Sequence, residues 1–190
     1  GISHAVSVKK NLILMTGSFA LSIILFLSFS VMIDWIGHAL TSNKPYSPDI
    51  SIYYEDYGNK ISSEECQQIR EIDGMEYVYG RMYKYAEIEP LKGKTSIDLI
   101  SYDDIQFKWA KKEKLSGSIE KVRDEFNTCM VVFDKNNVIE LGDIIVYNGQ
   151  PIVVEALLSD SPFSSSDIPT VICSEKTFTS LTGENKYAVV

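Results

Sequence analysis

The feature that most constrains this chain is an uninterrupted apolar stretch close to its start. Leu12 to Ile33 form 22 consecutive positions without a charged residue. As a helix this stretch would be roughly 33 Å long, which is enough to cross the hydrocarbon core of a membrane. Lys9 and Lys10 precede it, and the positive-inside rule places that side in the cytoplasm. We therefore predict a cytoplasmic N-terminus over residues 1–10 and a transmembrane helix over residues 11–36, in the cell membrane.

A cleaved signal peptide is the alternative interpretation of this stretch. Signal peptides carry an apolar region of about 7–15 residues that ends at a cleavage site of small residues. The stretch here is longer and runs into Asp34-Trp35-Ile36, which does not resemble such a site. The pattern favours a retained anchor, with everything after Asp34 outside the membrane and Trp35 at the interface.

The charge of the remaining chain limits its partners. Without Lys9, Lys10 and Asp34, the chain has 16 basic and 25 acidic residues, a net charge of −9. Because nucleic acids are bound mainly through their phosphates, an acidic domain indicates that no nucleic acid is bound. Residues 37–48 contain Pro45 and Pro48 and are predicted to be an extended linker. Residues 49–190 are numerous enough to form an extracytoplasmic domain with its own core.

Alternating and capped patterns in residues 49–190 predict an α+β domain, with a mixed sheet and two or three short helices. The clearest signal is Asn148-Gly149 between two apolar runs of residues 143–157, which predicts a type I′ hairpin. Ser62 with Glu65 predicts a capping box at a helix start, and Ser174 predicts the cap of a later helix. Cys66, Ile69 and Ile72 predict a narrow apolar stripe on the first of these helices. Residues 116–127 are ambiguous. The other predicted strands cover residues 49–55, 77–89, 95–102, 128–133, 169–173 and 187–190, with a β-bulge at Gly80 and a turn at residues 90–94. The predicted helices cover residues 62–73, 103–112 and 174–181, and residues 135–141 are predicted to form one or two helical turns.

Histidine and cysteine, the commonest residues of nucleophilic and metal sites, are scarce. His4 is predicted to be cytoplasmic and His38 lies next to the anchor, so neither can serve a site in the domain. Cys66, Cys129 and Cys173 lie far apart in sequence and on predicted apolar faces, where cysteine acts as a small buried hydrophobe. One disulfide at most can form, and none is required. We predict no catalytic residue, no cofactor-binding residue, no cofactor in this chain and no metal site.

Four weaker motifs have ordinary structural interpretations. Gly93-Lys94-Thr95 resembles the end of a phosphate loop, but Ile88 stands where that loop needs glycine. The acidic pairs Glu64-Glu65 and Asp103-Asp104 are adjacent residues, whose side chains point apart. A basic cluster is typical of a solvated helix face, although it could also meet anionic lipid; it comprises Lys108, Lys111, Lys112 and Lys114. A tyrosine run is typical of a strand face, although it could bind carbohydrate or peptide; it comprises Tyr77, Tyr79, Tyr83 and Tyr85. The substrate-binding residues are unknown.

The order of the parts nevertheless resembles a known family. After the anchor come Gly74-Met75-Glu76-Tyr77-Val78, then Leu141-Gly142-Asp143, then Asn148-Gly149 with Ile152-Val153-Val154, and finally Ser174-Glu175-Lys176-Thr177-Phe178. This succession resembles the extracytoplasmic core domain of FtsX-like, MacB-type ABC transporter permeases. One departure is Glu155-Ala156, where the family carries glycine.

The resemblance implies a non-enzymatic part that passes ATP-driven motion to an exported domain, which exports or releases a substrate such as a peptide or antimicrobial. It implies a cytoplasmic ABC ATPase subunit, a second permease copy in a dimer, the lipid membrane and an envelope partner. It also implies antimicrobial peptide resistance and further membrane helices after Val190. The alternatives are a single-pass anchored binding or sensor domain not linked to ABC transport, and an envelope enzyme that uses carboxylates.

A folded domain with membrane helices at both ends would respond to their separation. We therefore expect the strand that begins at Asp49 and the last strand, residues 186–190, to lie side by side as a coupling stalk. Cysteines at positions 50 and 188 would cross-link if they are opposite each other.

Overall fold

A computed structural model describes two separate parts of the chain. The chain divides into the units Gly1–Ser47 and Pro48–Val190. The described residues are 2–40, with side chains from 8 to 36, and 48–56, 58–89, 95–134, 139–162, 164 and 168–190. Most of the predicted linker, the predicted turn at residues 90–94 and residues 135–138 of a predicted helical segment lie outside them, as do the side chains of His4 and His38.

The first unit is one helix, α1 (Ile2–Leu40). It extends beyond the predicted span of residues 11–36 at both ends, because no proline or glycine interrupts residues 2–10 and the first proline comes at Pro45. It therefore includes residues 37–40, which were predicted as linker. Val8–Ile36 is long and apolar enough to cross a membrane. Every side chain in that stretch is exposed, so the helix has no protein core of its own.

The second unit is a mixed sheet with short helices, which confirms the predicted α+β class. The sheet has seven strands and the order β1-β2-β7-β4-β6-β3, with β5 paired to β6. The helices are α2 (Ser63–Arg70), α3 (Asp104–Ala110), α4 (Ile119–Asp124) and α5 (Glu175–Thr182). The strands are β1 (Tyr83–Ile88), β2 (Thr95–Tyr102), β3 (Lys114–Gly117), β4 (Thr128–Val132), β5 (Ile144–Tyr147), β6 (Gln150–Leu158) and β7 (Thr170–Ser174).

Strand β6 is the longest and organises one side of the sheet. It pairs in parallel with β4, and antiparallel with β3 and β5, which share its other edge. One bridge, between Glu89 and Val146, joins the chain just past β1 to β5. Their backbone groups exchange hydrogen bonds of 3.0 and 3.1 Å. Since β1 is one end of the strand path and β5 pairs with β6 near the other end, this bridge closes the sheet on itself at one point.

The two faces of the sheet carry two separate cores. On one face, Ile97, Leu99 and Val171 pack with Cys66 of α2 and Phe178 of α5. On the other face, residues of the same strands pack against α3 and α4, including Ile100, Tyr102, Met130, Leu158 and Ile172. Strands β2, β4 and β7 are therefore apolar on both sides, as expected for strands buried between two layers.

Three local predictions are confirmed in detail. Asn148 and Gly149 have φ values of +49° and +77°, as a type I′ hairpin turn requires. The Ser62 hydroxyl accepts the Glu65 N–H at 3.1 Å, and the Glu65 carboxylate accepts the Ser62 N–H at 2.7 Å. Ser174 caps α5, and its hydroxyl accepts the Thr177 N–H at 3.3 Å.

Other boundaries were wrong. The predicted strand over residues 77–89 is strand only from Tyr83, because Tyr77 and Tyr79 pack against Trp109 instead of pairing in the sheet. Helix α2 ends at Arg70, four residues before Gly74, so Ile72 of its predicted apolar stripe is exposed. Residues 139–140 are not helical, and the ambiguous residues 116–127 contain the end of β3 and all of α4.

Candidate functional site

The last four residues hold together three segments of the second unit. We call residues 48–56 the first segment and residues 187–190 the last segment. The N–H and C=O of Val190 exchange hydrogen bonds of 3.0 and 2.7 Å with Ile52. Tyr187 pairs in the same way with Ile61, at 2.7 and 3.0 Å, and Arg81 donates its N–H to Val189 at 2.8 Å. The last segment therefore lies between the start of the domain and the chain that enters β1.

The predicted side-by-side pairing of the two ends is thus confirmed, although each forms isolated bridges and not a full strand. The pairing is antiparallel and places Tyr53 opposite Val189. The positions chosen for cross-linking were wrong. In this register residue 188 lies opposite residue 54, so residue 50 is displaced by four residues, or about 13 Å along the strand. Tyr53 and Val189 are the pair that faces directly.

The side chain of Tyr187 fixes the last segment to the core. Its ring lies so close to Gly80 that a Cβ added there would be 2.5 Å from the ring Cγ. Only glycine fits under this ring, which gives Gly80 a role that the predicted β-bulge did not capture. Burial, followed by the nearby Glu175 carboxylate, raises the pKa of the Tyr187 hydroxyl. The hydroxyl therefore stays protonated at neutral pH.

Arg81 is the buried charge behind the last segment. It is 8% exposed, and burial lowers the pKa of its guanidinium to about 10. Its carbonyl accepts the N–H of Ala188 at 2.8 Å, so its backbone holds the last segment from the side opposite Ile52. Arg81 is still charged at neutral pH, because even the lowered pKa lies well above 7.

Tyr187 also forms part of the wall of a cleft with a volume of about 1000 Å³. Four helices supply its charged groups, because α2 and α4 end, and α3 and α5 begin, beside it. Four acids and four bases line the cleft: Asp103, Asp104, Asp124 and Glu175, with Arg70, Lys108, Arg123 and Lys176. The charges balance here, unlike in the acidic domain as a whole.

Asp103 is the most constrained acid in this cleft. It caps α3 and accepts the N–H groups of Ile105 and Gln106, both at 2.9 Å. The Arg70 guanidinium lies 3.7 Å from its carboxylate and donates to the Val78 carbonyl at 3.0 Å. Burial raises the pKa of Asp103, and the cap hydrogen bonds and Arg70 only partly offset this. Burial likewise raises the pKa of Glu175.

The residues singled out in the sequence are mostly structural. Cys66, Cys129 and Cys173 are buried free thiols, as predicted. Glu65 belongs to a helix cap, as predicted, and Asp103 caps α3, a role that was not predicted. Residues 93 and 94 lie outside the described residues. Among the described residues, no group of three or more His, Cys, Asp or Glu side chains could hold a metal ion.

The basic cluster and the tyrosine run do not form one site. The four lysines of the cluster are exposed, and Lys111 pairs with Glu120 at 2.9 Å. The Tyr83 hydroxyl donates to Asp98 at 2.8 Å, whereas Tyr85 is exposed. The cleft residues Glu175 and Tyr187 were not predicted as site residues, because no local pattern in the sequence shows that they meet.

Solved structures share this fold. The extracellular domain of the noncanonic ABC-type transporter YknZ from Gram-positive bacteria has a TM-score of 0.54 at 15% identity, over 68% of this chain and 70% of that one. The periplasmic region of MacB from Actinobacillus actinomycetemcomitans has a TM-score of 0.52 at 11% identity, over 69% of this chain and 63% of that one. No protein-family model and no curated protein matches the sequence. The resemblance to MacB-type domains is confirmed at the level of the fold.

Proposed function

We propose that this chain is the first membrane helix and the extracytoplasmic domain of an ABC transporter permease of the FtsX/MacB type. The observation that carries the proposal is the antiparallel pairing of the first and last segments. It brings both ends of residues 49–190 to one place, as expected for a domain inserted between two membrane helices. The shared fold supports the same conclusion.

In this proposal residues 1–10 are cytoplasmic, residues 11–36 span the cell membrane and residues 37–48 link the anchor to the domain. The role is non-catalytic. A cytoplasmic ABC ATPase on another chain supplies the energy, and a second permease copy completes a dimer. Motion of the membrane helices reaches the domain through its paired ends, because the two ends are hydrogen-bonded to each other and the last segment is also hydrogen-bonded to Ile61 and Arg81.

We expect movement of the last segment to act on the cleft beside Tyr187. The ring of Tyr187 occupies its wall, so displacement of residues 187–190 changes the shape of the cleft. A peptide, which carries charges of both signs, fits the balanced set of acids and bases there. We therefore propose an exported or released peptide, including an antimicrobial peptide, as the substrate class.

Co-purification tests the proposed assembly. The natural protein is extracted from its membranes in mild detergent, and proteins bound to it are identified by mass spectrometry. We expect an ABC-type ATPase and a second copy of the chain. If the chain is recovered without any such ATPase after gentle cross-linking, the permease proposal fails. The chain would then be an anchored binding or sensor domain.

A disulfide trap tests the coupling role of the paired ends. Tyr53→Cys combined with Val189→Cys should cross-link under mild oxidation, since directly opposed residues lie within disulfide range. Ile50→Cys with Ala188→Cys is the matched control and should stay reduced. If the paired ends must move, the first cross-link lowers ATP-driven transport by the assembled protein, and reduction restores it. Unchanged transport with a complete cross-link would contradict coupling through this pair.

A further inference from the structure

The middle of the sheet contains a weakly joined seam between β4 and β7. These strands are antiparallel neighbours with two paired positions, Met130 with Ile172 and Val131 with Val171. The ladders on either side are longer, since β2 pairs with β7 and β4 pairs with β6 at five positions each. The seam separates β1, β2 and β7 from β4, β6, β3 and β5. A cross-link here would join the two parts of the sheet.

Two cysteines lie at the next position of this seam. Continuing the register by one residue places Cys129, in β4, opposite Cys173, in β7. Opposed Cα atoms in antiparallel strands are about 4.5–5.5 Å apart. Disulfides join Cα atoms about 4.4–6.8 Å apart.

The two thiols also occupy the same face of the sheet. Cys129 and Cys173 belong to one core cluster, together with Val131 and Val171. The intervening Met130 and Ile172 belong to the cluster on the opposite face. This alternation follows the strand period of two, so both cysteine side chains project into the same layer. The electrostatic effect of Cys129 on the pKa of Cys173 agrees with this proximity.

We infer that Cys129 and Cys173 form a disulfide across the seam when the domain folds in the presence of a disulfide oxidant. In this exchange an external disulfide takes up two electrons and two protons from the two thiols. It leaves as two thiols, while one S–S bond forms in the protein. Cys66 remains a thiol. The pairing follows from the register alone, whereas its occurrence in cells rests on the proposed extracytoplasmic location, where such oxidants are found.

Burial decides when this bond can form. Both side chains are 0% exposed. Burial also raises the pKa of both thiols, and the thiolate is the reactive form. Oxidation is therefore fast while the sheet assembles and slow once the domain is folded. After it forms, the bond is protected from reductants for the same reason.

The test uses the full chain in detergent. The protein is reduced, unfolded and refolded with a mixture of reduced and oxidised glutathione, then denatured and alkylated. We expect one alkylated cysteine per chain, Cys66, and a linked pair of peptides containing Cys129 and Cys173. The melting temperature should rise by several degrees relative to protein refolded with reduced glutathione alone.

Two variants separate this pairing from others. Cys66→Ser should leave the linked pair unchanged, and Cys129→Ser should leave two alkylated thiols. Three alkylated cysteines in correctly refolded wild-type protein would overturn the inference, as would a linked pair that contains Cys66. The last measurement uses protein that is alkylated directly after extraction from native membranes, and it determines whether the same pair is linked there. A linked pair after refolding but free thiols in membranes would support the pairing and contradict the proposed location.

Discussion

Helix α1 and strand β7 are both apolar, yet their side chains have opposite surroundings. All described side chains of α1 are exposed, whereas every residue of Thr170–Ser174 is buried. The strand is covered by a core on each face. The described side chains of the helix have no such cover, and Val8–Ile36 is long and apolar enough to cross the hydrocarbon of a membrane. The same kind of substitution should therefore affect unfolding of the domain when it is made in β7, and membrane insertion when it is made in α1.

The largest expected effect comes from a charge in each region. Ile172→Asp places a carboxylate at a position with 0% exposure between β2 and β4. Burial of a charge without a partner costs more than about 4 kcal/mol, so we expect the domain to unfold. Thermal unfolding of the full chain in detergent measures this loss.

Ile24→Asp is the matched change near the centre of the apolar stretch of α1. It should leave the melting temperature of the domain unchanged and weaken membrane insertion by about 3 kcal/mol. The inserted fraction, measured by alkaline extraction of membranes, checks this. Equal loss of domain stability in both variants would contradict the separation of the two regions.

The next effect uses a glycine in each region. Gly80→Ala forces a methyl group into the Tyr187 ring and should destabilise the domain by about 1–3 kcal/mol, as overpacking does. Gly17→Ala meets nothing within 4 Å and lies in a helix, where alanine is preferred. Urea unfolding of the domain should show a lower midpoint for Gly80→Ala and an unchanged midpoint for Gly17→Ala. A similar midpoint for Gly80→Ala and wild type would show that the ring does not rest on this glycine.

A smaller effect is expected from a serine in each region. Ser62→Ala removes the hydroxyl that caps α2 and should cost about 1 kcal/mol. In α1, the Ser22 hydroxyl donates to the Ser18 carbonyl at 3.0 Å. Both residues lie in the interior of the helix, so this hydroxyl caps no helix end. Ser22→Ala should leave domain stability unchanged. Differential scanning calorimetry of both variants gives the comparison, and a Ser62→Ala variant as stable as wild type would argue against the capping box.

The smallest effect is a pH dependence that belongs to the domain alone. Burial raises the folded pKa of Asp103 above its ordinary value of 3.8. A raised folded pKa means that the stabilising contribution is present below pH 3.8 and is lost as pH rises through the folded pKa. Asp103→Asn keeps a good helix cap and should remove this loss.

Unfolding measured across that pH window checks this expectation. Asp124 is exposed, and Arg123 lowers its pKa. Its stabilising contribution is therefore lost as pH falls, so Asp124→Asn should remove a pH dependence of the opposite sign and serves as the control. Identical pH profiles for wild type and Asp103→Asn would contradict the assignment to Asp103.

Much of the molecule could be predicted because its signals are local. The length of the run Leu12–Ile33 is sufficient to indicate a membrane helix. The Asn148-Gly149 turn and the Ser62 and Ser174 caps depend on residues within a few positions of one another, so their physics can be read along the chain. The α+β class follows from the number and spacing of such elements.

The tertiary structure alone decided what is distant in sequence. The register that pairs Ile52 with Val190, the closure of the sheet by Glu89 and Val146, and the meeting of Tyr187 with Gly80 each join residues more than 50 positions apart. The position of Cys129 opposite Cys173 has the same origin. Strand register has no local signature, because it is set by how whole faces pack. The cleft exists only where the ends of four helices meet beside Tyr187.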